Sequence, residues 1–124
     1  MNLRVNVRNN TISECSINYD YGGRGTTSYC IANEVPPEAD PLSEQNKLVI
    51  SPGKLVKYNY PCATRLSIGA KSPLTGGIKE SNIGGQAARY LSKLGIDCII
   101  IEDTPKQAGK QQILYLSEKN KTLI

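Results

Sequence analysis

A run of turn-forming residues from Lys71 to Gly85, KSPLTGGIKESNIGG, interrupts the middle of this 124-residue chain. Leu74, Ile78 and Ile83 are its only large apolar side chains. Proline cannot donate a backbone hydrogen bond and glycine adopts conformations that other residues avoid, so the Ser-Pro and Gly-Gly pairs favour turns. The run therefore predicts a long loop or a pair of turns, and it is too rich in turn formers to belong to the core.

Regular structure is predicted on both sides of this run. Before it, Leu66 and Ile68 alternate with polar or small residues, which is the pattern of a half-buried strand. After it, the segment QAARYLSKL has the apolar spacing of one helix face, and Gly95 ends it. The residues on that face are Ala87, Tyr90, Leu91 and Leu94.

The rest of the chain contains several strand-like segments. NLRVNVRNN and TISECSINYDY predict a hairpin with its turn at Asn9-Asn10, and KLVI, IDCIII, QILYL and the final TLI predict further strands. IDCIII is apolar enough to be buried on both faces. TTSYCIANEV fits either a short helix or a strand, which Pro36-Pro37 ends. These elements predict an α+β fold: a sheet-dominated mixed domain, residues 1–124, with one clear helix packed on β-strands.

Composition narrows the function classes. The chain is 39% hydrophobic, enough for a modest core, and its net charge of +4 is spread without a basic run. A scattered excess of this size is typical of a solvated surface, so nucleic-acid binding is not predicted. The sequence has no signal peptide and no apolar run of membrane length, which predicts a cytoplasmic protein without membrane contact.

The residue types that most often perform catalysis or bind metals are scarce. There is no histidine, which excludes a His-based triad and a His-ligated zinc site. The four cysteines, Cys15, Cys30, Cys62 and Cys98, lie far apart without a C-x-x-C pair, so no local zinc or iron–sulfur motif is present. No catalytic residue and no protein metal ligand is therefore predicted within this chain.

Anion binding is the chemistry that the glycine-rich run suggests most directly. Ser81 to Gly85 leads into the helix predicted near Gln86, where unpaired N–H groups and the helix dipole favour an anion. Asn82 adds an amide, and Arg65 on the preceding strand adds a bidentate guanidinium. The competing interpretation is a tight Gly-Gly turn with Asn as a helix cap, and the residues alone leave both open.

Taken together in order and spacing, these segments resemble the N-terminal domain of the tungsten-containing aldehyde ferredoxin oxidoreductases. The matching stretches are YGGRGTTSYCIANEVPPEADPLSEQNKLVIS, TRLSIGAKSPLTGGIKESNIGG, the helix that follows, and LGIDCIIIE. They cover nearly the whole chain. The combination of EVPP, DPLS followed by QNKLV, KSPLTG and the SN and GG pairs makes the resemblance specific.

The resemblance implies a function and a site. It implies that the domain is a base for a tungsten-bis(molybdopterin) cofactor, with magnesium bridging the pterin phosphates. It also implies aldehyde oxidation to carboxylic acids, with electrons passing through a 4Fe-4S cluster to ferredoxin. By position, Arg65 is similar to the family's pterin-contacting arginine, Asn82 and Gly84 to residues that hold the pterin and its phosphate–magnesium unit, and Gly85 to an extension of that loop.

The sequence also departs from the family in ways that affect the expected function. The family's cluster cysteines and remaining cofactor contacts lie beyond the matching segment, and SPGKLVKYNYPCAT differs from the usual approach to the arginine. The chain is therefore expected to hold part of the cofactor, to be inactive alone, and to need the remaining part or subunit as a partner. The alternative is a non-catalytic stand-alone domain that binds no cofactor and acts in homo-oligomerisation or protein binding.

Overall fold

The computed structural model describes residues 1–17 and 21–124, and in these residues eight strands, two α-helices and one 3-10 turn form. The strands are β1 (Asn2–Asn6), β2 (Thr11–Cys15), β3 (Lys47–Pro52), β4 (Leu66–Lys71), β5 (Ile78–Ile83), β6 (Cys98–Glu102), β7 (Leu114–Leu116) and β8 (Lys121–Leu123). The helices are α1 (Gly23–Glu34) and α2 (Ala87–Lys93), and the 3-10 turn spans Val56–Tyr58.

Strands β1 to β6 form one mixed sheet in the order β2-β1-β6-β3-β4-β5. Strands β1 and β6 run parallel, and the other neighbours in this sheet run antiparallel. β7 and β8 form a separate antiparallel pair. The predicted hairpin is confirmed as β1 and β2, although residues 18–20 of its second predicted segment lie outside the described residues. IDCIII is confirmed as the inner strand β6, whose first three residues are at most 2% exposed.

The two helices lie on opposite faces of the large sheet. On one face, Cys30 and Ile31 of α1 pack with Val49 of β3 and with Cys98 and Ile100 of β6. Successive side chains of a strand point to opposite faces, so Ile99 lies on the α2 side. That side buries Leu3, Val5, Ile96 and Ile99, with Leu91 and Leu94 packed against them. No helix in the described part of the chain has the length and apolar character needed to cross a bilayer.

The segment that fitted either a helix or a strand is helical. α1 begins at Gly23, so part of the glycine-rich stretch before it belongs to the helix, and it ends at Glu34, just before the proline pair. Its buried residues include Thr26, Thr27 and Cys30, which are small or polar and give no strong apolar periodicity. The fold is α+β and sheet-dominated as predicted, but it contains a second helix that the sequence did not identify clearly.

The turn-rich run from residue 71 to 85 is only partly a loop. Its first half is a turn, in which Ser72 N–H donates to Gly77 O at 2.8 Å and Gly76 N–H donates to Ser72 O at 2.9 Å. Strand β5 follows and pairs antiparallel with β4. The loop prediction was therefore wrong for β5, because this edge strand is exposed along most of its length and lacks apolar alternation.

An ion-pair network joins the end of α1 to three strands. Arg4 of β1 binds both carboxylate oxygens of Glu34, at 2.9 and 3.1 Å, and also binds Glu102 of β6 at 2.8 Å. Lys47 of β3 donates to the same Glu102 oxygen at 2.8 Å. Burial alone would raise the pKa of Glu102, but the hydrogen bonds from Lys47 and Arg4 outweigh it and hold the pKa below its ordinary value of 4.5.

This network predicts an acid-sensitive contribution to stability. Because the native pKa of Glu102 is lowered, its carboxylate stabilises the fold above about pH 4.5, and this contribution is lost as pH falls through the native pKa. Glu102→Gln should lower the free energy of unfolding at pH 7 by about 1–2 kcal/mol. Urea denaturation at pH 7 and pH 3 measures this, with exposed Glu118→Gln as the control. An equal deficit at both pH values would contradict the prediction.

Candidate anion-binding site

The β4–β5 pairing brings Arg65 and Gly84 together. Leu66 and Ile83 form the last pair of this ladder, so Arg65 just before β4 and Gly84 just after β5 occupy the next facing positions. A Cβ atom built on Gly84 would lie 3.6 Å from Nη1 of Arg65 and 3.9 Å from its Cζ. Glycine at position 84 therefore leaves open a space beside the guanidinium that a side chain would fill.

The Arg65 guanidinium is available to a ligand. The side chain is exposed, and it forms no ion pair with any of residues 1–17 or 21–124. The Arg65 backbone is fixed, because its carbonyl accepts a hydrogen bond from Gly53 N–H at 2.9 Å. A fixed backbone that carries a planar cation with no ion-pair partner among the described residues is suited to bidentate phosphate recognition.

Asn82 lies within strand β5, directly opposite Ser67 of β4. The sequence placed it in a loop leading into a helix, and that placement is corrected by the strand. The Asn82 amide Nδ2 donates to Ser67 Oγ at 3.2 Å and to Glu80 Oε1 at 3.3 Å. Because side chains alternate along a strand, Asn82 lies on the same face as Glu80, next to the Arg65–Gly84 corner.

The cluster around Asn82 includes residues that the sequence analysis missed. Arg24, in the first turn of α1, donates from Nε to Glu80 Oε2 at 3.2 Å. A hydrogen bond from the Ser67 hydroxyl is the main cause that lowers the pKa of Glu80, and Asn82 and Arg24 add to it. The alternation within KESN would have indicated that Glu80 and Asn82 share a face, had β5 been predicted as a strand.

The helix end beside the cluster is that of α1, whereas the sequence pointed to α2. A Cβ atom on Gly23, the first residue of α1, would lie 3.5 Å from Ser67 Oγ. Helix α2 has only seven residues, and its N-cap Gln86 makes no side-chain cap hydrogen bond. Gly85, just before it, has φ of 108°, which other residues rarely adopt. The interpretation of Asn82 as the α2 cap is therefore also wrong.

The donors at this site suit an oxyanion rather than a directly coordinated transition metal. Arg65 supplies a guanidinium that pairs with no described carboxylate, and the Gly84–Gly85 backbone has no side chains to block an approaching ligand. Within residues 1–17 and 21–124, no three His, Cys, Asp or Glu residues are grouped to hold a metal ion, and all four cysteines are free. The described residues at this corner therefore offer hydrogen-bond donors and open backbone to an oxyanion.

The family model and similar known proteins point to the same family. The family model described as "Aldehyde ferredoxin oxidoreductase, N-terminal domain" matches residues 2–123. The tungsten-containing aldehyde ferredoxin oxidoreductase of Pyrococcus abyssi is 37% identical over 123 residues, which are 95% of this chain and 20% of that protein. The aliphatic sulfonate oxidoreductase WOR-like subunit of Pyrococcus furiosus is 35% identical over 106 residues, 83% of this chain and 17% of that protein.

A solved structure shows the same fold. The BamBC active-site complex of benzoyl coenzyme A reductase, in complex with 1,5-dienoyl-CoA, superposes with a TM-score of 0.89 at 27% sequence identity. The match covers 98% of this chain and 19% of that chain. The chain thus spans about a fifth of the length of the relatives it matches. It belongs to the aldehyde ferredoxin oxidoreductase family and corresponds to that family's N-terminal domain.

Proposed function

We propose that this chain forms part of the binding site for a tungsten–pterin cofactor in an enzyme of the aldehyde ferredoxin oxidoreductase type. The observation that carries the proposal is the Arg65–Gly84 corner, where a guanidinium without an ion-pair partner in the described part of the chain faces a space that a Cβ atom would fill. Asn82 lies two residues before Gly84 on the adjoining strand. Positive charge, open backbone and an amide are together suited to a pterin phosphate and its magnesium ion.

Each residue has a defined part in this proposal. Arg65 binds phosphate oxygens through its guanidinium, and the backbone of Gly84 and Gly85 allows the phosphate to approach closely. Asn82 contacts the phosphate–magnesium unit through its amide. When bound, the cofactor supplies the redox chemistry that converts an aldehyde to a carboxylic acid. The protein groups in this chain bind and orient the cofactor and are not reactants.

A binding experiment with magnesium pyrophosphate tests the proposal without requiring turnover. Arg65→Met should weaken binding by about 10- to 100-fold, because a charge-assisted hydrogen bond contributes about 1.5–3 kcal/mol. Lys79→Gln is the matched control, since it removes one positive charge from the opposite face of β5. Calorimetry and chemical-shift changes at Gly84 and Gly85 measure the binding. Equal affinity in wild type and Arg65→Met, or equal losses in both variants, would refute the assignment.

The partners and the location are also proposals. We infer that residues 1–124 form one domain that works in the cytoplasm with the remainder of the enzyme and, through that remainder, with ferredoxin. Leu74 is 94% exposed and Ile78 at the sheet edge is 46% exposed, which favours an interface with other polypeptide. The alternative is homo-oligomerisation of a non-catalytic domain. Light scattering measures whether a stable oligomer forms, and an aldehyde-oxidation assay with the remainder of the enzyme measures whether activity is reconstituted. A stable oligomer without reconstituted activity supports the alternative.

A further inference from the structure

The Asn82 side chain has its two N–H groups engaged within the protein. An asparagine amide has two N–H donors on Nδ2 and an acceptor oxygen, Oδ1. Ser67 Oγ and Glu80 Oε1 lie 3.2 and 3.3 Å from Nδ2. No described residue donates a hydrogen bond to Oδ1, and the side chain is exposed. Nδ2 therefore points into the sheet surface, and the oxygen is the group left for a ligand.

Glu80 determines the orientation of the Asn82 side-chain amide. An ionised carboxylate only accepts hydrogen bonds, so it cannot face the Asn82 oxygen without an unfavourable contact between two acceptors. The Glu80 side chain is only 11% exposed, and Arg24 Nε binds its other oxygen at 3.2 Å. Ser67 is 2% exposed, between β5 and the start of α1. The acceptors that hold Nδ2 are therefore themselves held in place.

We propose that Glu80 and Ser67 are positioning residues that bind the Asn82 amide nitrogen and so present the Asn82 oxygen to the ligand site. Arg24 supports them by fixing the Glu80 carboxylate from α1. Which part of the ligand each group contacts then depends on whether that group donates or accepts hydrogen bonds. Arg65 and backbone N–H groups meet the anionic oxygens, and Asn82 meets the divalent cation that accompanies them, since hard cations prefer oxygen ligands.

This assignment of ligand contacts rests on the proposed cofactor function, whereas the orientation of Asn82 does not. The orientation can be measured in the free protein from the side-chain amide signals in a nitrogen–proton correlation spectrum. In the wild-type chain, the Asn82 NH2 protons should exchange with solvent more slowly than those of exposed Asn59, and should show contacts to the Ser67 β-protons.

Two variants test whether Ser67 and Glu80 hold the amide. Ser67→Ala removes one acceptor without changing charge, and Glu80→Gln replaces the carboxylate by a group that either donates or accepts. Ser67→Ala should speed Asn82 NH2 exchange by about fivefold, the change expected on losing one net hydrogen bond, and Glu80→Gln should speed it by a smaller factor, because the Gln amide oxygen accepts more weakly than a carboxylate and its amide nitrogen cannot accept. Lys79→Gln, on the opposite face of the same strand, should leave the exchange rate unchanged. Ser67 is buried, so Ser67→Ala can lower the stability of the fold. Glu80 lies on the edge strand β5, where substitutions are better tolerated, so Glu80→Gln provides a second test.

A second measurement tests the contact with the cation. Manganese pyrophosphate, used as a paramagnetic probe, should broaden the Asn82 amide signals strongly in the wild type and several-fold less in Ser67→Ala. Ser67→Ala leaves the net charge of the protein unchanged, so charge attraction alone predicts the same broadening in this variant as in the wild type. Exchange of Asn82 at the Asn59 rate in the wild type, or no response of that rate to either variant, would overturn the positioning proposal. Failure of the probe to bind any variant would instead count against the proposed function, leaving the exchange result to decide the orientation.

Discussion

Replacing Gly69 by valine is expected to destabilise the fold by about 3 kcal/mol or more, because overpacking a tight contact costs about 1–3 kcal/mol even for small additions. A Cβ atom at Gly69 would lie 2.8 Å from Cβ and 3.1 Å from Oγ1 of Thr27 on α1. Thr27 is fully buried and its hydroxyl donates to Arg24 O at 3.1 Å, so it cannot move aside freely. Glycine at position 69 is what allows α1 to pack closely on β4.

The matched control is Gly77→Ala in the β4–β5 turn. Its nearest neighbour beyond the adjoining residues would be Thr75 Oγ1 at 3.7 Å, an ordinary contact, so the change should be within about 0.5–1 kcal/mol of neutral. Chemical denaturation of both variants measures the difference. The loss of stability in Gly69→Ala should lie between those of Gly69→Val and Gly77→Ala. In a Thr27→Gly background, Gly69→Ala should cost less stability, because the atoms that its Cβ contacts are absent. If Gly69→Val were as stable as Gly77→Ala, the close α1–β4 contact would be disproved.

The fold could be predicted well where apolar residues have a clear period. The run IDCIII and the alternation at Leu66 and Ile68 identified β6 and β4, because these strands lie within the sheet and bury their side chains. β5 could not be identified in this way, since Ile78 and Ile83 lie on opposite faces of an exposed edge strand. α1 was ambiguous for a related reason, as Thr26 and Thr27 form much of its buried face.

The candidate site was only partly predictable. Arg65, Asn82, Gly84 and Gly85 were named from the anion-binding chemistry of the glycine-rich run and from the family resemblance, and their binding roles remain predictions. What the sequence could not provide is the register that sets Leu66 opposite Ile83, which brings Arg65 beside Gly84. The contact between Arg24 and Glu80 depends on α1 packing over β5, so it has no local signal either. Tertiary contacts decide which groups of a motif face a ligand.

A second large effect is expected at Lys71, the first residue of the KSPLTG motif. Lys71 is 8% exposed, and its Nζ donates to the carbonyl oxygens of Pro37 and Ala39, the latter at 2.6 Å. No carboxylate among the described residues pairs with it. Its ammonium group therefore fixes the segment after α1 to the end of β4 through backbone carbonyls alone. Asn46 adds to this anchor by bonding Lys71 N–H and C=O at 3.1 and 3.0 Å.

Lys71→Met keeps the length of the side chain but removes the ammonium group, leaving two carbonyls without their donor. The expected loss is about 2–4 kcal/mol, since hydrogen bonds to charged groups contribute about 1.5–3 kcal/mol each and relief of the ammonium's burial offsets part of it. Urea denaturation measures the loss, and hydrogen exchange should increase first in residues 36–41. Lys79→Met on the exposed neighbouring strand is the control, expected within about 0.5 kcal/mol of wild type. Equal stability of the two variants would show that the carbonyl contacts of Lys71 do not hold this segment in place.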